Sequence, residues 1–151
     1  MSRSKYKTVS IARLNTSVLC SKYSGSRLLF GIDVAKRDQF VSISGPAGVS
    51  STLFKWSFPS QVENFRGLCR RLKSTGVRLE AVLEPSGTYS TAIRSLFNDI
   101  GLPTYQVQGK RVKDAREVFD GVPSSHDAKS AAISVWLHAQ GISRPWPFDS
   151  V

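Results

Sequence analysis

Residues 28–34 read LLFGIDV, apolar until Asp33 interrupts the run. A run this short and this apolar predicts a strand buried on both faces, in the middle of a sheet. Whatever else the chain does, it must supply neighbours for that strand and layers to cover it.

The residues that follow provide both. Gln39–Ser44 (QFVSIS) and Ser51–Phe58 (STLFKWSF) alternate with period two, and Gly45-Pro46-Ala47-Gly48 is a turn between them. Together with 28–34 they predict an antiparallel meander. Ser60 and Glu63 then match a Ser-x-x-Glu capping box after Pro59, with Val62, Phe65, Leu68 and Leu72 on one helical face and Gly76 as the stop. Leu79–Leu83 is a short apolar strand ending at Glu84. A helix over 90–100 stops at Gly101, a strand follows over 104–107, and a charged helix over 110–119 breaks at Gly121-Val122-Pro123. The last helix runs over 125–140. The order β-β-β-α-β-α-β-α-α is similar to that of an RNase H-like (RuvC-like) α/β fold. It predicts a five-stranded mixed sheet with flanking helices, the first strand lying mid-sheet beside the fourth. The aromatics Trp56, Phe58 and Trp136 read as core.

Charge points to a polyanion. The 151 residues hold 21 Lys plus Arg against 11 Asp plus Glu, a formal net charge of +10. Such an excess favours nucleic acid, because Lys and Arg displace counterions from phosphates. The excess is uneven: Arg3, Lys5, Lys7, Arg13, Lys22 and Arg27 lie in residues 1–27, which contain no acid. That segment is Ser-rich, has no apolar period and reads as a mobile basic arm. The domain proper spans 28–143, and 144–151, with Pro145 and Pro147, reads as a loose tail. No apolar run is long enough for a signal peptide or a membrane span. Cys20 and Cys69 have no metal-ligand spacing and read as free thiols in a reducing cytosol.

Two of the scarce acids, Asp33 and Glu84, close apolar strands. If those strands are neighbours, the carboxylates stand side by side and repel unless a cation lies between them. Oxygen ligands suit Mg²⁺ or Mn²⁺. Asp127, at the start of the last helix, is a candidate third ligand, although it could equally serve the helix N-terminus.

Four segments carry a resemblance. Gly31-Ile32-Asp33-Val34-Ala35-Lys36, Leu83-Glu84-Pro85-Ser86-Gly87-Thr88-Tyr89, Gly109-Lys110-Arg111-Val112-Lys113-Asp114-Ala115 and residues 120–131 (DGVPSSHDAKSA) follow one another in the order and spacing of four motifs. They resemble the motifs of the DEDD transposases of the insertion-sequence 110 type, whose relatives include the Piv invertase. The resemblance covers roughly residues 28–146. It implies Asp33, Glu84 and Asp127 as catalytic metal ligands, with Ser130 where a fourth acid is expected. A shifted alignment would instead make Asp127 the fourth acid and Ser124 the third. Either way one carboxylate is missing.

The resemblance implies a site in which two divalent ions, about 4 Å apart, activate the attacking oxygen and stabilise the leaving oxygen of a phosphodiester. Asp33 would bridge them. Lys36, Lys110, Arg111, Lys113 and Arg116 would contact phosphates; for the last four, a solvated helix face is the plain alternative. DNA and a structured guide RNA are the implied partners, with a homo-oligomer left open and no membrane. The implied setting is a bacterial-type cytoplasm, at the nucleoid. Family members carry a second, serine-bearing C-terminal domain, so the expectation is a half-site, incomplete alone. A rival of another class is a nucleic-acid-binding remnant without chemistry. An ATPase relative of the sugar-kinase kind is disfavoured because no Gly-rich phosphate loop stands in the right place.

Overall fold

A computed structural model describes residues 8–85, 87–120 and 127–147. The strands are β1 (Val9–Ser10), β2 (Arg27–Asp33), β3 (Asp38–Ser44), β4 (Ser50–Ser57), β5 (Arg78–Leu83), β6 (Thr104–Gln106) and β7 (Arg144–Pro145). The helices are α1 (Thr16–Tyr23), α2 (Val62–Ser74), α3 (Gly87–Ile100), α4 (Gly109–Asp120) and α5 (Asp127–Ala139), with a 3-10 turn over Ile11–Arg13. One sheet is formed in the order β1-β4-β3-β2-β5-β6-β7. β3 is antiparallel to β2 and β4, whereas β2, β5 and β6 are mutually parallel.

The sheet has seven strands where five were expected. The additions, β1 and β7, are edge pieces of two residues each. Two residues cannot display a period, so nothing in the sequence marks them. The central strands follow their hydrophobic patterns. In β2, Leu28, Leu29 and Phe30 are wholly buried.

Side-chain alternation sorts the strands into two cores. On one face Leu28, Phe30, Ile32, Val41, Phe54 and Trp56 pack with Phe65, Leu72 and Phe97 from α2 and α3. Trp56 stacks on Phe65 at 4.7 Å between ring centroids, and Phe65 on Phe97 at 5.6 Å. On the other face Leu29, Val82 and Val107 meet Val112 of α4 and Ile133, Val135 and Leu137 of α5. Trp136 packs at the rim of this second core, edge-on to Phe119.

The N-terminal segment differs from the expected mobile arm. From residue 8 it forms β1, the 3-10 turn and α1, and it buries Ile11, Leu19 and Tyr23 in the first core. The stretch looks polar because α1 is only eight residues long and buries only Leu19 and Tyr23, one turn apart. Residues 1–7 lie outside the described residues. The tail is likewise held: β7 pairs with β6, Trp146 N–H donates to Thr104 O at 2.9 Å, and the buried Arg94 Nε donates to Trp146 O at 2.7 Å. Residues 148–151 lie outside the described residues. Cys69 is buried, Cys20 is partly exposed, and both are free thiols. No helix among the described residues is long and apolar enough to cross a membrane.

Candidate functional site

The parallel register of β2 and β5 pairs Ile32 with Leu83. Asp33 and Glu84 are each the next residue, so two acids stand level at the carboxyl ends of adjacent strands. Alternation also gives them a common face. Leu29 and Val82 belong to the core under α4 and α5, so Asp33 and Glu84, four and two residues further on, lean to that side. Both are partly exposed. Ligands collect at such strand ends in open α/β sheets.

Two glycines shape this edge. A Cβ at Gly109, the first residue of α4, would collide with the Glu84 carboxylate, whose Oε1 is its nearest neighbour. Glycine there lets the acid lie directly against the helix start, where negative charge is favoured. Gly31 brings α5 down onto β2: a Cβ there would strike Ala131 O and lie 2.8 Å from Val135 Cβ and 2.9 Å from Val135 N. At the other end of β2, Gly48 of the β3–β4 turn packs against Trp136 and Ala139. α5 therefore runs antiparallel to β2, and its first residue, Asp127, comes to the end of the sheet that carries Asp33 and Glu84. The Asp127 side chain lies outside the described residues, as does Ser124. Ser130 is nearly closed off from solvent at 9% exposure, and the neighbouring Lys129 is fully buried and engaged within the fold.

Among the described residues no group of three His, Cys, Asp or Glu side chains converges. The described pair, Asp33 and Glu84, offers hard oxygen donors on one edge, and that donor set fits Mg²⁺ or Mn²⁺.

The loop after Asp33 is fixed from below. Gln39, fully buried, accepts from Ala35 N–H at 3.0 Å and donates to Ala35 O at 2.6 Å and Arg37 O at 3.2 Å. This amide clamp presents Lys36 and the adjacent Arg37, both exposed, beside the carboxylate edge. Lys110, Arg111 and Lys113 are exposed on α4, which starts at the same edge, whereas Arg116 is half-buried. Sequence reasoning missed Arg37, Gln39 and Gly109. A buried glutamine in a strand otherwise apolar on its covered face is the signal that could have found the clamp.

Further along the same face, Arg27 forms a two-pronged bond to Glu80, at 2.6 and 3.1 Å. Glu80 Oε1 lies 3.7 Å from Nε2 of the buried His138, whose Nδ1 is 2.7 Å from Ser143 Oγ. Burial lowers the His138 pKa and Arg27 adds to that, while Glu80 pulls the other way. A depressed histidine contributes stability that is complete above its unfolded pKa, about 6.5, and is lost as pH falls toward the folded value. The melting temperature is therefore expected to fall from about pH 7 to pH 5 more steeply in the native chain than in His138→Gln. Equal slopes in a thermal melt series would contradict this.

No family model matches the sequence, and no curated protein matches it. Among solved structures, T. thermophilus RuvC in complex with a Holliday junction substrate is similar, with a TM-score of 0.52 and 14% sequence identity over 80% of this chain and 99% of that one. At that identity the likeness concerns architecture alone: the chain has a RuvC-like α/β fold, with a mixed sheet and flanking helices.

Proposed function

We propose that this chain is a nucleic-acid-binding domain of the DEDD transposase type, built for divalent-metal-dependent cleavage or transfer of phosphodiester strands in DNA transposition. The observation that carries the reading is the parallel pairing of β2 with β5, which sets Asp33 and Glu84 level at one sheet edge. Asp33, Glu84 and Asp127 would hold Mg²⁺ or Mn²⁺. When bound, the metal would activate the attacking oxygen and stabilise the leaving oxygen. Lys36, Lys110, Arg111, Lys113 and Arg116 neutralise the phosphates flanking the scissile bond, and the Gln39 clamp keeps Lys36 in place. The similarity in fold to a RuvC solved in complex with a Holliday junction substrate supports DNA as the partner. The net charge of +10 supports it independently, and a structured guide RNA fits the same basic surface.

One observation favours a second reading, a binding module without chemistry. Ser130, at the position of an expected acid, is nearly buried and carries no charge.

The deciding experiment titrates duplex DNA and structured RNA at several salt concentrations, with a Mn²⁺ nicking assay beside it. Binding is expected to weaken steeply with salt and to depend little on sequence. Nicking by the native chain that disappears in Asp33→Asn would establish the enzyme, and binding without nicking the module. No binding at low salt would defeat both. Deleting residues 1–7 removes Arg3, Lys5 and Lys7, so the salt slope should fall by up to about three counterions, roughly 0.9 for each phosphate left unneutralised. The deletion must stop there, because residues 8–27 carry core side chains.

A further inference from the structure

Beside Glu84 the molecule opens into a cleft of about 410 Å³. Its walls come from the β6–α4 junction, the first turn of α4 and the loop from α5 into β7. Pro85, next in the chain to Glu84, and Gly109, against which the Glu84 carboxylate rests, both line it. The cleft is therefore continuous with the carboxylate edge. Ile142 lines it with an apolar side chain over the buried Val107, Gln106 and Gln108 are its uncharged polar residues, and Arg111 and Arg144 line it from separate elements.

We propose that this cleft takes one unpaired nucleotide of the bound strand, next to the phosphodiester that the basic residues bring to the Asp33–Glu84 edge. The proposal rests on the nuclease-type reading of that edge and deepens it by naming the substrate class: strands with an extruded or unpaired nucleotide rather than continuous duplex. The volume lies within the roughly 300–1,000 Å³ of small-ligand sites and is far too small for a duplex, whose major groove alone is about 12 Å wide. The chemistry matches a splayed nucleotide part by part. An apolar surface receives the face of a base, amides can both donate to and accept from its edge, and arginines hold the phosphates on either side. Such a site discriminates because extrusion costs least where the base is already unpaired.

The two walls are also tied to the rest of the fold. Gln108 O accepts from Arg111 N–H at 2.9 Å, which sets the α4 wall. The His138–Ser143 contact and the pairing of Arg144 with Gln106 across β7 and β6 set the other.

The test is fluorescence anisotropy without divalent metal, comparing a continuous DNA duplex with the same duplex carrying one unpaired nucleotide. The native chain is expected to prefer the bulged duplex by about tenfold, a difference of about 1.4 kcal/mol. Arg144→Ala, at an exposed position, should reduce that ratio to near one, and so should Ile142→Trp, which fills the cleft. Equal affinity of the native chain for the two duplexes would overturn the proposal. So would a preference that survives Arg144→Ala in a variant whose melting temperature is unchanged. A free mononucleotide that binds as tightly as the bulged strand would mark a small-molecule site and overturn it as well. Because no metal is present, loss of the preference is distinguishable from failure of the cleavage reading, which shows in the Mn²⁺ assay alone.

Discussion

Asp33→Asn is expected to weaken Mn²⁺ binding by at least about tenfold, and to abolish any Mn²⁺-dependent nicking, while nucleic-acid affinity survives. Asp33 ends β2 and Glu84 follows β5, one step beyond the Ile32–Leu83 pair, on the face shared with α4 and α5. Removing one of two adjacent carboxylates takes away both a ligand oxygen and half of the local negative charge. A hard divalent cation depends on both. Phosphate binding draws on the opposite charges, so losing an acid beside the phosphate path does not weaken it. Isothermal calorimetry with Mn²⁺ checks the first part and a salt-matched DNA titration the second. Calorimetric curves that coincide for the native chain and the variant would remove Asp33 from the site. Glu84→Gln should act in the same direction. Gly109→Ala should act more weakly, because it displaces the carboxylate without deleting it.

The largest effect on stability is expected at Gly31. A methyl group there meets the carbonyl of Ala131 and the backbone and Cβ of Val135, so the obstacle is the helix itself and not the mobile end of a side chain. Overpacking of this kind costs typically 1–3 kcal/mol and occasionally more, and a rigid backbone places it at about 3 kcal/mol. For a chain of this size each kcal/mol moves the melting point by about 2–4 °C, so Gly31→Ala should melt about 10 °C lower. Gly67 is the control. It lies inside α2, where a Cβ would meet nothing within 4 Å, and Gly67→Ala should stabilise by about 0.5–1 kcal/mol. Thermal denaturation of the two variants side by side should move in opposite directions. If Gly31→Ala melts like the native chain, α5 does not press on β2, and the approach of Asp127 to the carboxylate edge loses its support.

The interior of the sheet was readable because each strand there is long enough to repeat its pattern. LLFGIDV is buried on both faces and QFVSIS and STLFKWSF alternate, and β2, β3 and β4 form where those patterns fall. Glycine stops and apolar faces placed α2 and α5 to within a few residues. The acid pair was readable for the same reason, since each acid breaks an apolar run. What failed were features decided by which of several local partners a side chain takes, or by contacts far along the chain. The Ser-x-x-Glu box after Pro59 does not cap α2; Gln61 stands at that position, makes no side-chain cap, and instead accepts from Ser57 N–H at 2.8 Å. α1 has too few buried residues to announce itself, and its place depends on a core assembled from residues far along the chain. The Gln39 clamp closes over only four residues and is marked by a polar side chain among apolar ones, whereas the Gly109–Glu84 approach is a tertiary fact that a linear pattern does not encode.

The short strands at the two margins of the sheet bear on how the molecule meets its own kind. Among the described residues each margin ends in a strand of two residues, β1 on one side and β7, with Pro145, on the other. A stub that brief offers an incoming chain almost no ladder to extend, and a proline removes a donor from what remains. Where β1 and β7 lie, a second copy therefore finds little backbone to pair with, and edge-to-edge joining of two sheets is disfavoured at those places.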